Sequence, residues 1–272
     1  MIAHERSIAG RTQAAPRDSG TESAGRVADI LLAFTNSSTA RGVSALSREL
    51  GLSKAVVHRT LQSLVSRHLL AFDPPTRKYR LGPAAVVLGA RALRDSPMRI
   101  AAMPLLVRLS QTTGETATLS QLVGHSRVYI EQVESVQEIK MTVETGRQFP
   151  LHAGSSGRVI LAFLPEEDRE TVLKHELSTL ANPTAIDPIA FRHQLAQVRT
   201  EGVAVSYGER QDGAGSVASA VFGVDGNVVG SISICGPIHR FTEPSVDMFK
   251  SLARRAAREL SMALGWQVEG TP

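Results

Sequence analysis

The densest group of residues that could bind or react is Gly154-Ser155-Ser156-Gly157, directly ahead of the apolar run Val159-Ile160-Leu161-Ala162. A small-residue loop feeding a helix start presents backbone N–H groups and a partial positive charge, a setting suited to a carboxylate. Ser233 and Cys235 stand two apart in a stretch that reads as a strand, so both point to the same side of a sheet. The same residues could equally make a Ser/Gly turn with an N-cap and two small core-facing side chains. Catalysis is not indicated. No G-x-S-x-G surrounds Ser155 or Ser156, no Walker loop and no metal-ligand spacing occur, and the eight histidines are scattered. His152 reads as a packing or hydrogen-bonding group rather than a base. Gly213-Ala214-Gly215-Ser216-Val217-Ala218 matches G-x-G-x-x-A, but a dinucleotide site needs a strand before it and a helix after it. A strand follows here, so the segment reads as a glycine-rich loop. The expectation is a binding site, with no cofactor, no metal and no enzyme activity.

A second group is cationic. Lys54, Val57, His58 and Arg59 follow Ser53 at the start of an apolar-periodic segment, off the inward stripe assigned to Val56, Thr60, Leu61 and Leu64. Ser53 stands where an N-cap is needed, and with the helix's first N–H groups it suits a phosphate. Arg77 and Lys78 follow the turn cluster Asp73-Pro74-Pro75-Thr76 and open the alternating run Arg77-Lys78-Tyr79-Arg80-Leu81. These are side chains for base edges and phosphates.

The elements that would position them are a helix with Val43, Leu46 and Leu50 on one face, a stop at Gly51, the helix after Ser53, and a basic hairpin to Gly82. That order is a winged helix-turn-helix, which sets its second helix in the major groove. A preceding helix at about residues 25–36, with Val27, Ile30, Leu31 and Phe34 inward and Asn36-Ser37-Ser38 at its end, would brace it. Charge supports nucleic acid over protein as the partner. Residues 24–82 hold nine Lys/Arg against three Asp/Glu, whereas residues 83–272 hold eighteen against twenty.

Residues 1–23 are polar, balanced in charge and without periodicity, and read as a disordered tail. Residues 83–96 read as a linker helix with Val87, Leu88, Arg91 and Leu93, whose apolar face could pair with the same helix of a second chain. A homodimer reading a palindromic operator supplies the affinity and register that one small head lacks.

Residues 97–272 read as α+β. Helices are expected at Met98–Thr112, Ser155–Leu164, Pro165–His175, Asp187–Glu201 and Thr242–Leu264. Strands are expected at Thr116–Ser120, Arg127–Val133, Lys140–Glu144, Val203–Ser206, Ser219–Val224 and Val228–Ile234, with a hairpin turn at Asp225-Gly226-Asn227. Together they suggest one antiparallel sheet with helices on its face. A single cysteine, no apolar leader and no 18-residue apolar run suit a cytoplasmic protein without membrane association.

SKAVVHRTLQSLVSRHLL with its wing, LHAGSSGRVILAFLP, and EGVAVSYGERQDGAGSVASAVFGVDGNVVGSISICGPIHRFT come in that order and spacing. In these segments the chain resembles the IclR family of bacterial transcriptional regulators, over about residues 26–266. The resemblance implies a fold of class α+β: an N-terminal winged helix-turn-helix joined by a linker helix to a GAF-like antiparallel-sheet effector domain. It implies dimers, often assembling to tetramers, acting as repressors, activators or both. It also implies an effector pocket at Ser155, Ser156, Ser206, Ser216, Ser233 and Cys235. Relatives that bind small keto-acids place a carboxylate, a thiol and a hydroxyl where Ser206, Ser216 and Cys235 stand. The alternatives are a small-acid-processing enzyme and a protein-interaction module. The enzyme would need a nucleophile beside a base, and the module would be indifferent to Lys54, Arg59 and Arg77.

Overall fold

The computed structural model describes residues 22–35, 40–179 and 187–267. The tail expected at residues 1–23 lies outside them except for its last two residues, as does the helix stop expected at Asn36-Ser37-Ser38. The chain forms two compact units that divide between Gly82 and Pro83.

The first unit contains α1 (Glu22–Leu32), α2 (Val43–Leu50), α3 (Lys54–Val65), β1 (Leu70–Asp73) and β2 (Lys78–Leu81). Gly51 ends α2 at φ 64°, with its N–H on the Ser47 carbonyl, and Ser53 starts α3 by accepting the Val56 N–H at its hydroxyl, 3.3 Å away. The antiparallel wing pairs Leu70–Asp73 with Leu81–Lys78, and Arg41 adds a bridge to Tyr79. Ile30, Phe34, Leu46, Val57, Leu61, Leu64, Leu70 and Tyr79 form the core. This corrects the expected phase of α3. Val57 is fully buried and Val56 only half-buried, so the stripe is Val57-Leu61-Leu64. With two adjacent valines, either phase satisfies helical spacing; contact with α1 and α2 selects the second.

The second unit opens with α4 (Pro83–Arg94) and α5 (Pro97–Thr113), followed by β3 (Thr116–Val123), β4 (Ser126–Val133) and β5 (Gln148–Pro150). Then come α6 (Gly154–Phe163), α7 (Glu166–Thr179), α8 (Pro188–Glu201), β6 (Val203–Tyr207), β7 (Ala214–Phe222), β8 (Val228–Pro237) and α9 (Glu243–Ala263). The six-stranded sheet has the order β5-β4-β3-β8-β7-β6, antiparallel throughout. The class is α+β, a helix-turn-helix followed by an antiparallel sheet with helices.

Helices cover both faces of the sheet, not one. On one side α5 and α9 pack on Ala117, Leu119, Val217, Val221, Ile232 and Ile234. On the other, α6 lies against the sheet with α7 and α8 outside it, burying Ala218, Ala220 and every residue of α6 from Gly154 to Ala162.

Two strand expectations are corrected. Lys140–Glu144 is not a strand. The backbone of Val143 is held by the Gln132 side-chain amide, which accepts its N–H at 2.9 Å and donates to its carbonyl at 3.1 Å, and the sheet edge is taken by β5 instead. The expected glycine-rich loop before Ser219 is strand: β7 begins at Ala214. Gly215 is there because the Phe241 ring lies on it; a Cβ would stand 2.5 Å from Phe241 Cγ. Among the described residues no helix is long and apolar enough to cross a membrane.

Candidate effector cleft and nucleic-acid interface

On the first unit, α3 turns Lys54, Ala55, His58, Arg59, Gln62 and Ser63 outward as one continuous face. Lys54, His58 and Arg59 are therefore exposed as expected, whereas Val57, assigned to the same surface, points into the core. Ser53 is exposed beside them, its hydroxyl used as the helix cap. Ala55 and Gln62 belong to this face in addition to the expected residues; Gln62 donates to the Tyr79 hydroxyl at 3.2 Å and so ties the helix to the wing. At the wing tip Arg77 is exposed in the left-handed region, φ 52°, after a turn closed by Thr76 Oγ1 donating to the Asp73 carboxylate, and Lys78 is exposed at the start of β2. Phe72 and Tyr79 pack across the wing with ring centres 4.9 Å apart.

On the second unit, the sheet register lines up small polar side chains. Ser206 pairs with Ser216, Ser216 with Cys235, and Cys235 with Thr116, giving a row across four strands. The N-terminal turn of α6 sits on this face. Ser155 Oγ is 2.8 Å from Ser216 Oγ, and Ser156 Oγ donates to Ser233 Oγ at 3.1 Å. Ser233 in turn contacts Thr118 Oγ1 at 2.6 Å, and Ser231 donates to the Ser156 carbonyl. Alanine and serine on the strands let a helix beginning Gly-Ser-Ser-Gly approach this closely. At Gly157 a Cβ would stand 2.5 Å from the Leu151 carbonyl oxygen.

Ser155, Ser156, Ser206, Ser216, Ser233 and Cys235 thus line one cleft. Its free space is about 20 Å³, room for roughly one water molecule. The hydroxyls bond to one another, and no base is among their partners. Burial pushes the Cys235 thiol up to about 12; Arg210 opposes and Glu115 adds to the shift, so the sulfur is not a thiolate near neutral pH. The arrangement can donate and accept hydrogen bonds but holds no activated nucleophile.

The helix start is less open than the sequence suggests. Glu209, on the β6–β7 connection, accepts the Gly154 N–H at 3.3 Å while pairing with Arg158. The wall also includes Arg127, Tyr129, Met141 and Arg210, none of them among the expected residues. Arg127 has no exposed surface. It donates to Ser120 Oγ at 3.3 Å and the Ala153 carbonyl at 3.4 Å. Burial draws its pKa below the ordinary arginine value, Tyr129 opposing and Arg210 adding to the shift. The guanidiniums of Arg127 and Arg210 lie over the Tyr129 ring at 4.6 and 5.8 Å and over Phe149 at 5.2 and 5.3 Å. A cation in an apolar β4, in phase with Tyr129, was the available signal.

The family profile described as the C-terminal part of the bacterial transcriptional regulator IclR matches residues 90–262, and the IclR helix-turn-helix profile matches residues 23–74. The chain belongs to the IclR family. Among its relatives, the regulator BhcR of Paracoccus denitrificans is 30% identical over 82% of this chain and 80% of its own length. The regulator XynR of Escherichia coli is 30% identical over 90% of this chain and 98% of its own. An IclR structure from Silicibacter superposes with a TM-score of 0.79 at 28% identity, covering 90% of this chain and 97% of that one. An IclR homologue from Microbacterium hydrocarbonoxydans, solved with 4-hydroxybenzoate, gives 0.65 at 27% identity, covering 89% and 99%. As an IclR-family protein, the chain is a transcriptional regulator with a DNA-binding helix-turn-helix and a C-terminal effector-binding domain.

Proposed function

We propose that this protein is a regulator whose hold on its operator is set by a small organic acid in the serine-lined cleft. Lys54 and His58 on α3 read the major groove, with Ser53, Arg59, Arg77 and Lys78 on phosphates. Ser155, Ser156, Ser206, Ser216, Ser233 and Cys235 surround the effector. The observation that carries this is the convergence of hydroxyls from α6, β6, β7 and β8 on one cleft without a base beside them. Pockets with a few placed polar groups are built to bind. The 4-hydroxybenzoate held by the Microbacterium homologue supports an aromatic acid as one candidate.

The regulator works as a homodimer on a palindrome, with tetramers as a further assembly, in the cytoplasm. On α4, Val86, Val87 and Leu88 are 62–68% exposed, the kind of apolar face a second copy would cover. The test is fluorescence anisotropy on DNA from beside its own gene, with and without small carboxylates. Equal affinity for that DNA and random DNA at moderate salt would end the reading.

A further inference from the structure

We infer that Arg127 is the anion anchor of the cleft, so that the effector carries a compact carboxylate which the buried guanidinium receives beneath Tyr129 and Phe149. The inference rests on the effector reading above and adds the residue and the charge. Three observations support it. Arg127 is fully buried, and its Nε has no hydrogen-bond partner. Its hydrogen-bond partners are a hydroxyl and a carbonyl, both neutral and both beyond 3.2 Å. Among the described residues no carboxylate pairs with Arg127 or Arg210, while Glu209 is committed to Arg158.

Arginine stays protonated at any working pH, so this is a desolvated charge without a counter-ion, an arrangement that is costly unless something supplies the anion. The charge borders the hydroxyl row, and the Ala153 carbonyl it touches belongs to the residue capping α6. An acid reaching Nε would therefore meet the serines at the same time. Arg210, over the same two rings, adds a second positive charge from the β6–β7 connection. Tyr129 and Phe149, edge to face at 5.4 Å, hold both guanidiniums by cation–π contact. A neutral ligand would leave both positive charges uncompensated.

The experiment uses the full chain, wild type beside Arg127→Met, Arg127→Lys and Ser233→Leu. Ligand-free melting is measured first. Arg127→Met should melt at or above the wild-type temperature, because an uncompensated buried charge is removed; a drop of several degrees would mark Arg127 as structural and overturn the inference. Sodium formate, the smallest carboxylate, is then compared with formamide and with sodium chloride at equal ionic strength. Formate should raise the wild-type and Arg127→Lys melting temperatures and leave Arg127→Met unmoved. An equal rise in Arg127→Met, or none in the wild type, overturns the anchor.

Paired acids and amides, benzoate with benzamide and 4-hydroxybenzoate with 4-hydroxybenzamide, are finally titrated against operator-bound protein. The anchor requires at least about tenfold weaker response to acids in Arg127→Met. If Arg127→Met responds to acids as wild type does while Ser233→Leu does not, the effector cleft stands and the anchor falls. If formate stabilises through Arg127 while Ser233→Leu responds to acids as wild type does, the anchor stands and the serine-lined effector reading falls.

Discussion

Ser155 and Ser216 meet hydroxyl to hydroxyl, 2.8 Å apart, one in the first turn of α6 and the other near the start of β7. Through this contact the helix start and the sheet floor share one side of the cleft. Ser216→Leu fills that space with an apolar side chain and breaks the contact. The expected outcome is loss of any effector response, with ligand-free operator affinity within about twofold of wild type, since Ser216 is not part of the helix-turn-helix unit and is assigned no phosphate contact. Anisotropy titrations with and without acids check both halves.

Arg59→Ala and Lys78→Ala should weaken DNA binding by similar factors on every operator tested, each lowering the salt slope by about one. His58→Ala should instead change the ranking of operator variants. The measurement is affinity against salt on a small set of single-base operator changes.

Val57 is buried against Ile30, Leu46 and Leu61, so its replacement is a core change. Val57→Ala should cost about 2 kcal/mol of head stability by cavity formation. Specificity should stay the same once the protein is folded. Chemical denaturation paired with the operator ranking separates the two effects.

Gly215→Ala places a methyl carbon 2.5 Å from the Phe241 ring. Overpacking of this kind costs about 1–3 kcal/mol. The melting temperature should fall, and Phe241→Leu in the same chain should recover part of the loss.

Cys235 is raised from the ordinary 9.0 to about 12 by burial. The native thiol should resist iodoacetamide near neutral pH and react once the chain is unfolded. The raised value means the folded state holds the proton more tightly than the unfolded one. Its contribution is therefore fully present below about pH 9 and declines as pH rises from there toward 12. Cys235→Ser should flatten that alkaline loss in denaturation curves.

Much of the fold is legible in local chemistry. Ser53, Gly51, Gly114 and Gly202 mark helix ends that the backbone realises, the glycines at φ between 64° and 70°. Gly226 turns the β7–β8 hairpin at φ 76°. What escaped depends on contacts between distant residues. The phase of α3 at Val56-Val57 is decided by its neighbours. The strand at Gly215 needs Phe241 above it, and the lost strand at Lys140–Glu144 is replaced by the Gln132 amide. The six small residues proposed for the effector do face one cleft, but the buried Arg127 beside them is signalled only by its phase with Tyr129, and a cation on an alternating strand ordinarily marks the solvent side.

The row Ser206, Ser216, Cys235, Thr116 is carried on neighbouring strands, so its members recur at the inter-strand interval of about 4.8 Å. Each member is a side chain, while the ladder beneath is held by main-chain groups. The floor therefore behaves like a keyboard: one key can be exchanged for another small residue without retuning the frame. Under the proposed effector reading, ligand preference and foldability would be governed by different atoms.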